Sequence, residues 1–232
     1  MNLSPIDNIK NLDSIQLVDE AEAIISSVKN WKKDKQFDYV LNKRKSTPIS
    51  IRTFTNDSLN GDFWCARVSN LTELTDKVRH TYYESLLKYL VGSLTDIKHT
   101  HTDFEKKYIH EIYDYKVIPY NLINESPNQT ISYLTQVYYK LPFPLSKRVF
   151  YELVHIYKAH DNSVAYIISL AINPKNIKGS KDDSGFTIGR YTSIEKISFD
   201  EDTKKLKWIM ATCSSPGGFL PDWVTKLSIS VF

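Results

Sequence analysis

The chain lacks any apolar run that approaches the roughly 18 residues of a membrane-spanning helix. Residues 1–7 have neither the basic start nor the apolar core of a secretory signal peptide. We therefore expect a soluble, cytoplasmic protein. Cysteine is scarce, with only Cys65 and Cys213 present. Because disulfides persist mainly in oxidising compartments, we expect reduced thiols that pack in the interior.

Linkers rich in proline, glycine or serine are also missing, as are internal repeats and low-complexity segments. A length of 232 residues suits one large domain or two small ones, and nothing in the composition divides this chain. We predict a single domain over residues 1–232. An N-terminal helix and a basic segment occupy residues 1–48, and the core occupies residues 49–232.

The chain has little excess charge of either sign, with a formal net charge of +3. This charge is too small for the basic stripe of a nucleic-acid-binding domain, so we expect no nucleic-acid partner. We also expect the protein to be a monomer. Cations do cluster in one segment, at Lys32, Lys33, Lys35, Lys43, Arg44 and Lys45. The segment either meets anionic lipid head groups or is the solvated flank of a helix and loop.

Signatures of common enzymes are missing as well. The sequence has no G-x-S-x-G nucleophile elbow, no phosphate-binding P-loop and no dinucleotide-binding glycine fingerprint. Imidazole and carboxylate groups that could converge on a metal occur close together, at His99, His101, Asp103, Glu105 and His110. Because this stretch is polar and has no cysteine nearby, we predict that it holds no metal. Because the signatures above are missing, we also predict no other cofactor and no catalytic residue.

Aromatic residues are abundant, at 12% of the chain, and fifteen of them are tyrosines. A tyrosine ring packs in an apolar layer while its hydroxyl group needs a polar partner. The surplus therefore favours a β-rich protein, and an amphipathic cavity over a dry core.

Apolar periodicity predicts the order of the elements. Helical spacing occurs in residues 13–30, 74–94 and 101–117, the last of mixed character. Strand-like segments are residues 49–54, 63–68, 131–141, 150–159, 164–172, 186–195 and 206–213. Short connections favour antiparallel neighbours, so the pattern predicts an α+β fold. One connection, residues 173–184, is polar and long enough to be a lid.

The last forty residues end a strand and begin a helix. Pro216, Gly217 and Gly218 interrupt the strand, since proline has no backbone N–H and glycine tolerates positive φ. Pro221 and Asp222 suit a first helical turn. The apolar side chains that follow recur on one helical face, which must pack against the rest of the chain: Leu220, Trp223, Val224 and Leu227.

Three segments resemble the START (steroidogenic acute regulatory protein-related lipid transfer) family. Residues 139–150 are similar to its Y-x-x-P-x-P-x-S-x-R-D-F pattern, with Val149 in place of the usual acid. Residues 189–191 are similar to its G-x-x-R strand, and residues 216–224 to its D-x-x-G-x-(I/L)-P-x-W-(L/V) pattern. Residues 63–69 and the spacing of His101, Glu105 and Tyr108, together with residues 208–212, look like an uncharacterised fungal branch of START-like proteins.

The resemblance implies a helix-grip fold, in which a curved antiparallel sheet wraps around a C-terminal helix and encloses a hydrophobic cavity. It implies an intracellular lipid-binding or lipid-transfer protein that holds one lipid, a phospholipid or a sterol. Such a protein meets a membrane surface transiently and is peripheral at organelle membranes. Residues 173–184 match the family's omega loop, which with the C-terminal helix would gate the cavity.

The resemblance also suggests which residues contact the lipid. Arg190 would hold a polar head group, although pairing with Glu195 or exposure to solvent explains an arginine there as well. Strand residues that could line the cavity, or simply pack in the core, are Trp64, Tyr133, Tyr166, Tyr191, Trp208 and Met210. Gate candidates are Phe219, Leu220, Trp223 and Leu227.

Two other functions stay open. An enzyme with this fold would need an acid or base aimed into the cavity, for instance His155. A ligand-independent interaction module would follow if the protein's own aromatic side chains filled the cavity.

Overall fold

The computed structural model describes residues 1–39, 48–72, 74–140, 147–178 and 183–218. Helices within these ranges are Ser14–Ser27 (α1), Asp76–Leu86 (α2) and His101–Tyr108 (α3), with single turns at Val28–Asn30, Leu87–Val91 and Pro174–Asn176. Strands are Lys32–Tyr39 (β1), Ile49–Leu59 (β2), Asp62–Asn70 (β3), Ile112–Tyr120 (β4), Thr130–Lys140 (β5), Lys147–Lys158 (β6), Val164–Ala171 (β7), Thr187–Ile188 (β8), Arg190–Asp200 (β9) and Lys205–Ser215 (β10). None of these helices is long and apolar enough to cross a bilayer.

The strands form one sheet in the order β1-β2-β3-β10-β9-β7-β6-β5-β4. Neighbours in this order are antiparallel, and the short strand β8 adds a parallel pairing with β6. Strand β3 lies beside β10, whereas β4 lies at the far edge of the sheet. The connection that carries α2 and α3 from β3 to β4 therefore crosses one face of the sheet.

Side chains along each strand alternate between two faces. On one, which we call the α1 face, residues such as Ile168, Ile194 and Ala211 form a core with helix α1. On the other, the α3 face, residues such as Val154 and Ile197 pack with the segment that contains α2. Apolar side chains are buried on both faces, so the sheet is the central layer of the protein.

The first predicted helix is confirmed as α1. Asp13 begins it, because its carboxylate accepts hydrogen bonds from the backbone N–H groups of Ile15 at 2.9 Å and Gln16 at 3.1 Å. The buried stripe differs slightly from the predicted one. Ile15 is 58% exposed, whereas Leu17 is buried and packs on the sheet.

Two segments differ from the sequence-based prediction. One of the two interpretations of the basic segment placed it at the flank of a helix and loop, but Lys32–Tyr39 forms edge strand β1, and its eight residues are exposed. Lys43, Arg44 and Lys45 lie outside the described residues. Lysines on an exposed edge oppose pairing with another chain. Helical spacing was also expected to continue to residue 117, but α3 ends at Tyr108 and Ile112–Tyr120 forms β4. Aromatic and β-branched residues in that segment suit a strand.

Strands β2 and β3 form the predicted hairpin with a tighter reversal than expected. Strand β2 continues to Leu59, and Asn60 and Gly61 make the turn with φ values of 54° and 88°. Positive φ at both central positions is typical of a type I′ turn, which matches the twist of the flanking strands.

The two cysteines are buried and free, as expected from the sequence. Thr212 is the cross-strand partner of Cys65, so Cys65 shares a face with Thr212. Cys213 is the next residue along β10 and points to the opposite face. The sheet therefore separates the two thiols.

A buried hydrogen-bond network around His155 of β6 ties the start of α1 to the sheet. Ser14 Oγ lies 3.0 Å from His155 Nε2, and Ser132 Oγ lies 2.8 Å from His155 Nδ1. The Ser132 hydroxyl group also donates to Glu125. Burial lowers the pKa of His155 to about 4, so the ring is neutral at pH 7. This residue, the acid or base candidate of the sequence analysis, lies on the α1 face between two serines.

We predict that Ser14→Ala lowers the free energy of unfolding by about 1–3 kcal/mol, because it leaves a buried imidazole nitrogen without a partner. Urea denaturation at pH 7 measures this change. Ser26→Ala, at an exposed position of the same helix, is the control and should change stability by less than about 0.5 kcal/mol. Equal unfolding midpoints for the two variants would contradict the role given to the network.

Candidate ligand-binding site under helix α3

The first turn of α3 is fixed by its cap and by strand β4. Thr100 N donates to Asp103 Oδ2 at 2.7 Å, and Asp103 N donates to Thr100 Oγ1 at 3.4 Å, which makes a reciprocal cap. Tyr115 of β4 donates to the other carboxylate oxygen of Asp103 at 2.6 Å. With the helix held in this way, His101 and Thr102 are buried against the α3 face.

Four ionisable side chains interact on the α3 face, and we call them the polar cluster. Helix α3 supplies two, β6 supplies one and β9 supplies one: His101, Glu105, Glu152 and Glu195. Tyrosines adjoin the cluster. Burial raises the pKa of Tyr139 and Tyr191, and the cluster carboxylates raise these pKa values further. The site is thus lined by groups that donate or accept hydrogen bonds in an otherwise apolar layer.

His101 and Glu105 lie one helical turn apart on α3. His101 Nε2 is 3.4 Å from Glu105 Oε1, and the His101 side chain is 4% exposed. Burial by itself lowers the pKa of His101, but the Glu105 carboxylate and the more distant Glu195 raise it, and the net pKa is about 9. His101 is therefore an imidazolium at neutral pH.

Two cluster residues keep polar atoms without a partner among the described residues. One is His101, whose Nδ1 has no hydrogen-bond partner; the other is Glu152. It is 8% exposed, and no hydrogen bond or ion pair links its carboxyl group to the described residues. Burial raises its pKa, the Glu105 carboxylate raises it further, His101 lowers it, and the net pKa is about 8. At pH 7 the group is mostly protonated, so it has both a hydroxyl donor and an acceptor available.

Glu195, in contrast, has fixed partners. Trp208 Nε1 donates to Glu195 Oε2 at 2.8 Å, and the Arg67 guanidinium lies 4.7 Å from the centre of the Trp208 ring. Burial raises the pKa of Glu195, while the charge of His101 and the Trp208 hydrogen bond lower it. Glu195 is therefore held in place by the protein itself, whereas the carboxyl group of Glu152 has no such partner among the described residues.

Four of the lining residues predicted from the sequence lie on the α3 face: Tyr133, Tyr191, Trp208 and Met210. The Tyr133 hydroxyl group is 3.2 Å from Thr102 Oγ1, which ties β5 to α3. Met210 Sδ is 3.9 Å from Arg67 Nη2. The structure brings these residues together around the polar cluster, and their contact with a ligand stays a prediction.

Trp64 and Tyr166 lie on the α1 face instead. Trp64 is fully buried, with its ring edge-to-face against Trp31 at 6.5 Å, and Tyr166 donates to Glu22 of α1. Both side chains pack helix α1 and do not share a surface with Trp208. The alternation of the strands separates them, since they occupy positions of the other parity.

Arg190 is also separated from the polar cluster. It is exposed at the start of β9, beside a small cavity of about 230 Å³ that Tyr151 and Pro174 also line. Arg190 and Glu195 lie five residues apart on the same strand, so their side chains point to opposite faces. Arg190 therefore does not pair with Glu195, and it does not lie beside the tyrosines of the α3 face.

The predicted gate falls largely outside the described residues. Phe219, Leu220, Trp223 and Leu227 all lie there, and so do residues 179–182 of the 173–184 loop. The described ends of that loop contact other parts of the chain. Asn176 Nδ2 donates to the Ile6 carbonyl at 3.0 Å, and Asp183 accepts a hydrogen bond from the Tyr151 hydroxyl group.

The segments that carried the family resemblance meet at one end of the sheet. Arg148 Nε donates to the Pro216 carbonyl at 2.6 Å, and Gly189 N donates to the Val149 carbonyl at 2.9 Å. A Cβ atom at Gly189 would lie 2.4 Å from the Phe150 ring, which explains the glycine. These residues hold the strand ends together, so the motif identifies a fold more directly than it identifies a ligand contact.

The histidine and carboxylate stretch that raised the metal hypothesis is divided in space. His99 Nδ1 pairs with Asp96 Oδ2 at 2.7 Å on the surface, Asp103 caps α3, and His101 is buried beside Glu105. In the part of the chain that the structure describes, no group of three or more His, Cys, Asp and Glu side chains is arranged to hold a metal ion.

Sequence reasoning missed Glu152 and the role of His101. The signal for Glu152 was available, because a lone acid stands within the apolar run of residues 149–156 (VFYELVHI). An acid in the middle of a buried strand needs an explanation. His101 carried no comparable signal, because only the crossing of α3 over the sheet buries it.

The architecture is similar to that of two solved human proteins. The structure of human STARD10 matches with a TM-score of 0.57 at 13% identity, covering 94% of this chain and 74% of that one. Human StAR-related lipid transfer protein 5 matches with a TM-score of 0.53 at 11% identity, covering 94% of this chain and 92% of that one. The predicted START-like helix-grip fold of the α+β class is therefore confirmed.

Within that class, residues 64–231 match the family described as "Protein of unknown function (DUF3074)". The chain belongs to the DUF3074 family. No curated protein matches it by sequence.

We predict that Glu152→Gln makes the protein more stable than the wild type as the pH rises from 5 to 8. The unfolded carboxyl group loses its proton near its ordinary pKa of 4.5, while the folded one keeps its proton up to about 8. The contribution of Glu152 to the free energy of unfolding is fully present below pH 4.5. It is lost as the pH rises towards 8, by about 1.4 kcal/mol per pH unit.

Chemical denaturation of both proteins at several pH values measures the difference. Glu84→Gln, at an exposed helix position, is the matched control and should follow the wild type. A Glu152→Gln curve parallel to the wild-type curve would mean that Glu152 is ionised in the fold.

Proposed function

We propose that the protein binds one lipid, a phospholipid or a sterol, with the polar end of the lipid at the polar cluster on the α3 face. The observation that carries the proposal is Glu152, a buried carboxyl group with no partner among the described residues. A buried polar group without a partner is costly and is retained where something else satisfies it. The fold shared with a protein named for lipid transfer supports a lipid as that partner.

The charges of the site favour particular head groups. Three carboxyl groups, those of Glu105, Glu152 and Glu195, face the cations His101 and Arg67. A hydroxyl or ammonium group can donate to Glu152 and Glu105, whereas a bare phosphate would meet carboxylates. A sterol hydroxyl, or the amine of a phospholipid head group, fits this side of the site best.

Exchange of the lipid needs an opening and a membrane. We place the opening at the 173–184 loop and the C-terminal helix, as the START resemblance implies. The contact between the protein and the membrane is transient and takes place at the cytoplasmic surface of an organelle membrane. The described ends of the loop are anchored by Asn176 and Asp183.

The direct test is native mass spectrometry of the protein purified from a eukaryotic host, followed by extraction and identification of the lipid. We expect a stoichiometric lipid on the wild type, and on the order of tenfold weaker retention by Glu152→Leu because one hydrogen bond in a dry site is lost. Glu84→Leu is the control. A protein that stays free of lipid after sterols and phospholipids are offered would contradict the proposal.

A second candidate function is an enzyme that acts on a hydrophobic substrate. It is favoured by one observation: the polar cluster holds a carboxyl group that is mostly protonated at pH 7 together with an imidazolium that lowers the pKa of that carboxyl group. The extraction experiment distinguishes the two functions. Lipid recovered unaltered after incubation supports binding, and a product formed by the wild type but not by Glu152→Gln supports an enzyme.

The gate assignment predicts that Trp223→Asp impairs lipid retention, because a charge on the apolar face of the C-terminal helix opposes its packing. Thr225→Asp is the control, since the helical spacing places Thr225 away from that face. Release of a fluorescent lipid to acceptor vesicles measures retention. Equal release rates in two folded variants would remove the helix from the gate.

A further inference from the structure

A groove of about 950 Å³ opens on the α1 face, on the opposite side of the sheet from the polar cluster. Its floor is formed by strands β2, β3, β9 and β10, its wall by the end of α1, and its rim by edge strand β1. Apolar side chains line the bottom: Ile25, Val28, Phe54, Val68 and Ile209. Cations line the rest: Lys29, Arg52, Lys196, Lys205 and Lys207. We call this feature the basic groove.

The charge of the basic groove is concentrated and mostly uncompensated. Five cations line it against one carboxylate, Asp38, although the whole chain has a net charge of only +3. Lys196 is paired with Glu22 at 2.6 Å. In the described part of the chain, the other four cations have no carboxylate oxygen within 4.0 Å. Such a concave patch of one sign attracts an anion.

The strand register places these cations around a common space. Lys205 and Lys207 are alternate residues of β10, so both point to the α1 face. Arg52 pairs with Val68 of β3, which pairs with Ile209 of β10, so Arg52 points to the same face two strands away. Two strand spacings are about 10 Å, a distance that long lysine and arginine side chains can close from both sides.

The surroundings of the groove favour a lipid head group presented by a bilayer over a free anion. The groove floor is apolar, which suits the region where a head group joins its glycerol and acyl chains.

We propose that the basic groove binds the multiply phosphorylated head group of an anionic membrane lipid and so docks the protein on membranes that contain it. Several cations without a carboxylate partner in one groove can neutralise two or more phosphates, whereas a lipid with a single negative charge needs only one. The inference rests on the proposed function only in that a lipid carrier must meet a membrane. The site is separate from the polar cluster that would hold the cargo.

The test is flotation with phosphatidylcholine vesicles that contain about 5 mol% phosphatidylinositol bisphosphate, compared with vesicles of equal charge made with phosphatidylserine. We expect the wild type to prefer the bisphosphate vesicles. Lys205→Ala combined with Lys207→Ala should bind them on the order of 30-fold more weakly, since each lysine near the surface contributes about a factor of five. Lys10→Ala combined with Lys98→Ala, two exposed lysines outside the groove, should change binding less than about twofold.

Three results would overturn the inference. The first is a wild type without preference for the bisphosphate vesicles, and the second is an equal loss in the two double variants. The third is binding of soluble inositol trisphosphate as tight as binding to vesicles, which would make the ligand a free phosphate. Lipid extraction from the same variants separates this site from the cargo site, because groove variants should keep the lipid that Glu152→Leu loses.

Discussion

The pairing of β3 with β10 is the constraint on which the rest of the structure depends. Six residue pairs, from Cys65 with Thr212 to Asn70 with Lys207, join strands that are more than 130 residues apart in sequence. Because this pairing places β3 in the middle of the sheet, the chain must cross one face to reach β4. The crossing lays α3 over the sheet and buries His101 opposite strands β6 and β9. Without it, the polar cluster would not exist.

The same sheet keeps two different chemistries apart. On the α3 face, buried carboxyl groups and one imidazolium share an apolar layer, and Glu152 keeps its proton because burial and Glu105 both disfavour its ionised form. On the α1 face, lysines and an arginine surround an open groove with one carboxylate. A strand presents successive residues to opposite sides, so one sheet can carry an enclosed acidic site and an exposed basic one.

Sequence reasoning predicted much of the fold. The helical stripe of α1, the β2–β3 hairpin, the late antiparallel strands and the START-like plan all follow from local patterns and motif order. The residues around the polar cluster were predicted less well than the fold. Trp64 and Tyr166 were grouped with Trp208, although they point to the other face, and Glu152 was overlooked. Aromatic residues on strands look alike until the register of neighbouring strands is known.

What the sequence by itself determined is what depends on neighbours along the chain. Period-two alternation, helical spacing, the Asp13 cap and the Asn60-Gly61 turn act over a few residues and can be recognised there. Only the tertiary structure decided which residues meet. His101, Glu152 and Glu195 come from three elements, and Lys29, Arg52 and Lys207 from three others. Their charges and pKa values depend on burial and on the distance between elements, and long-range strand pairing sets both.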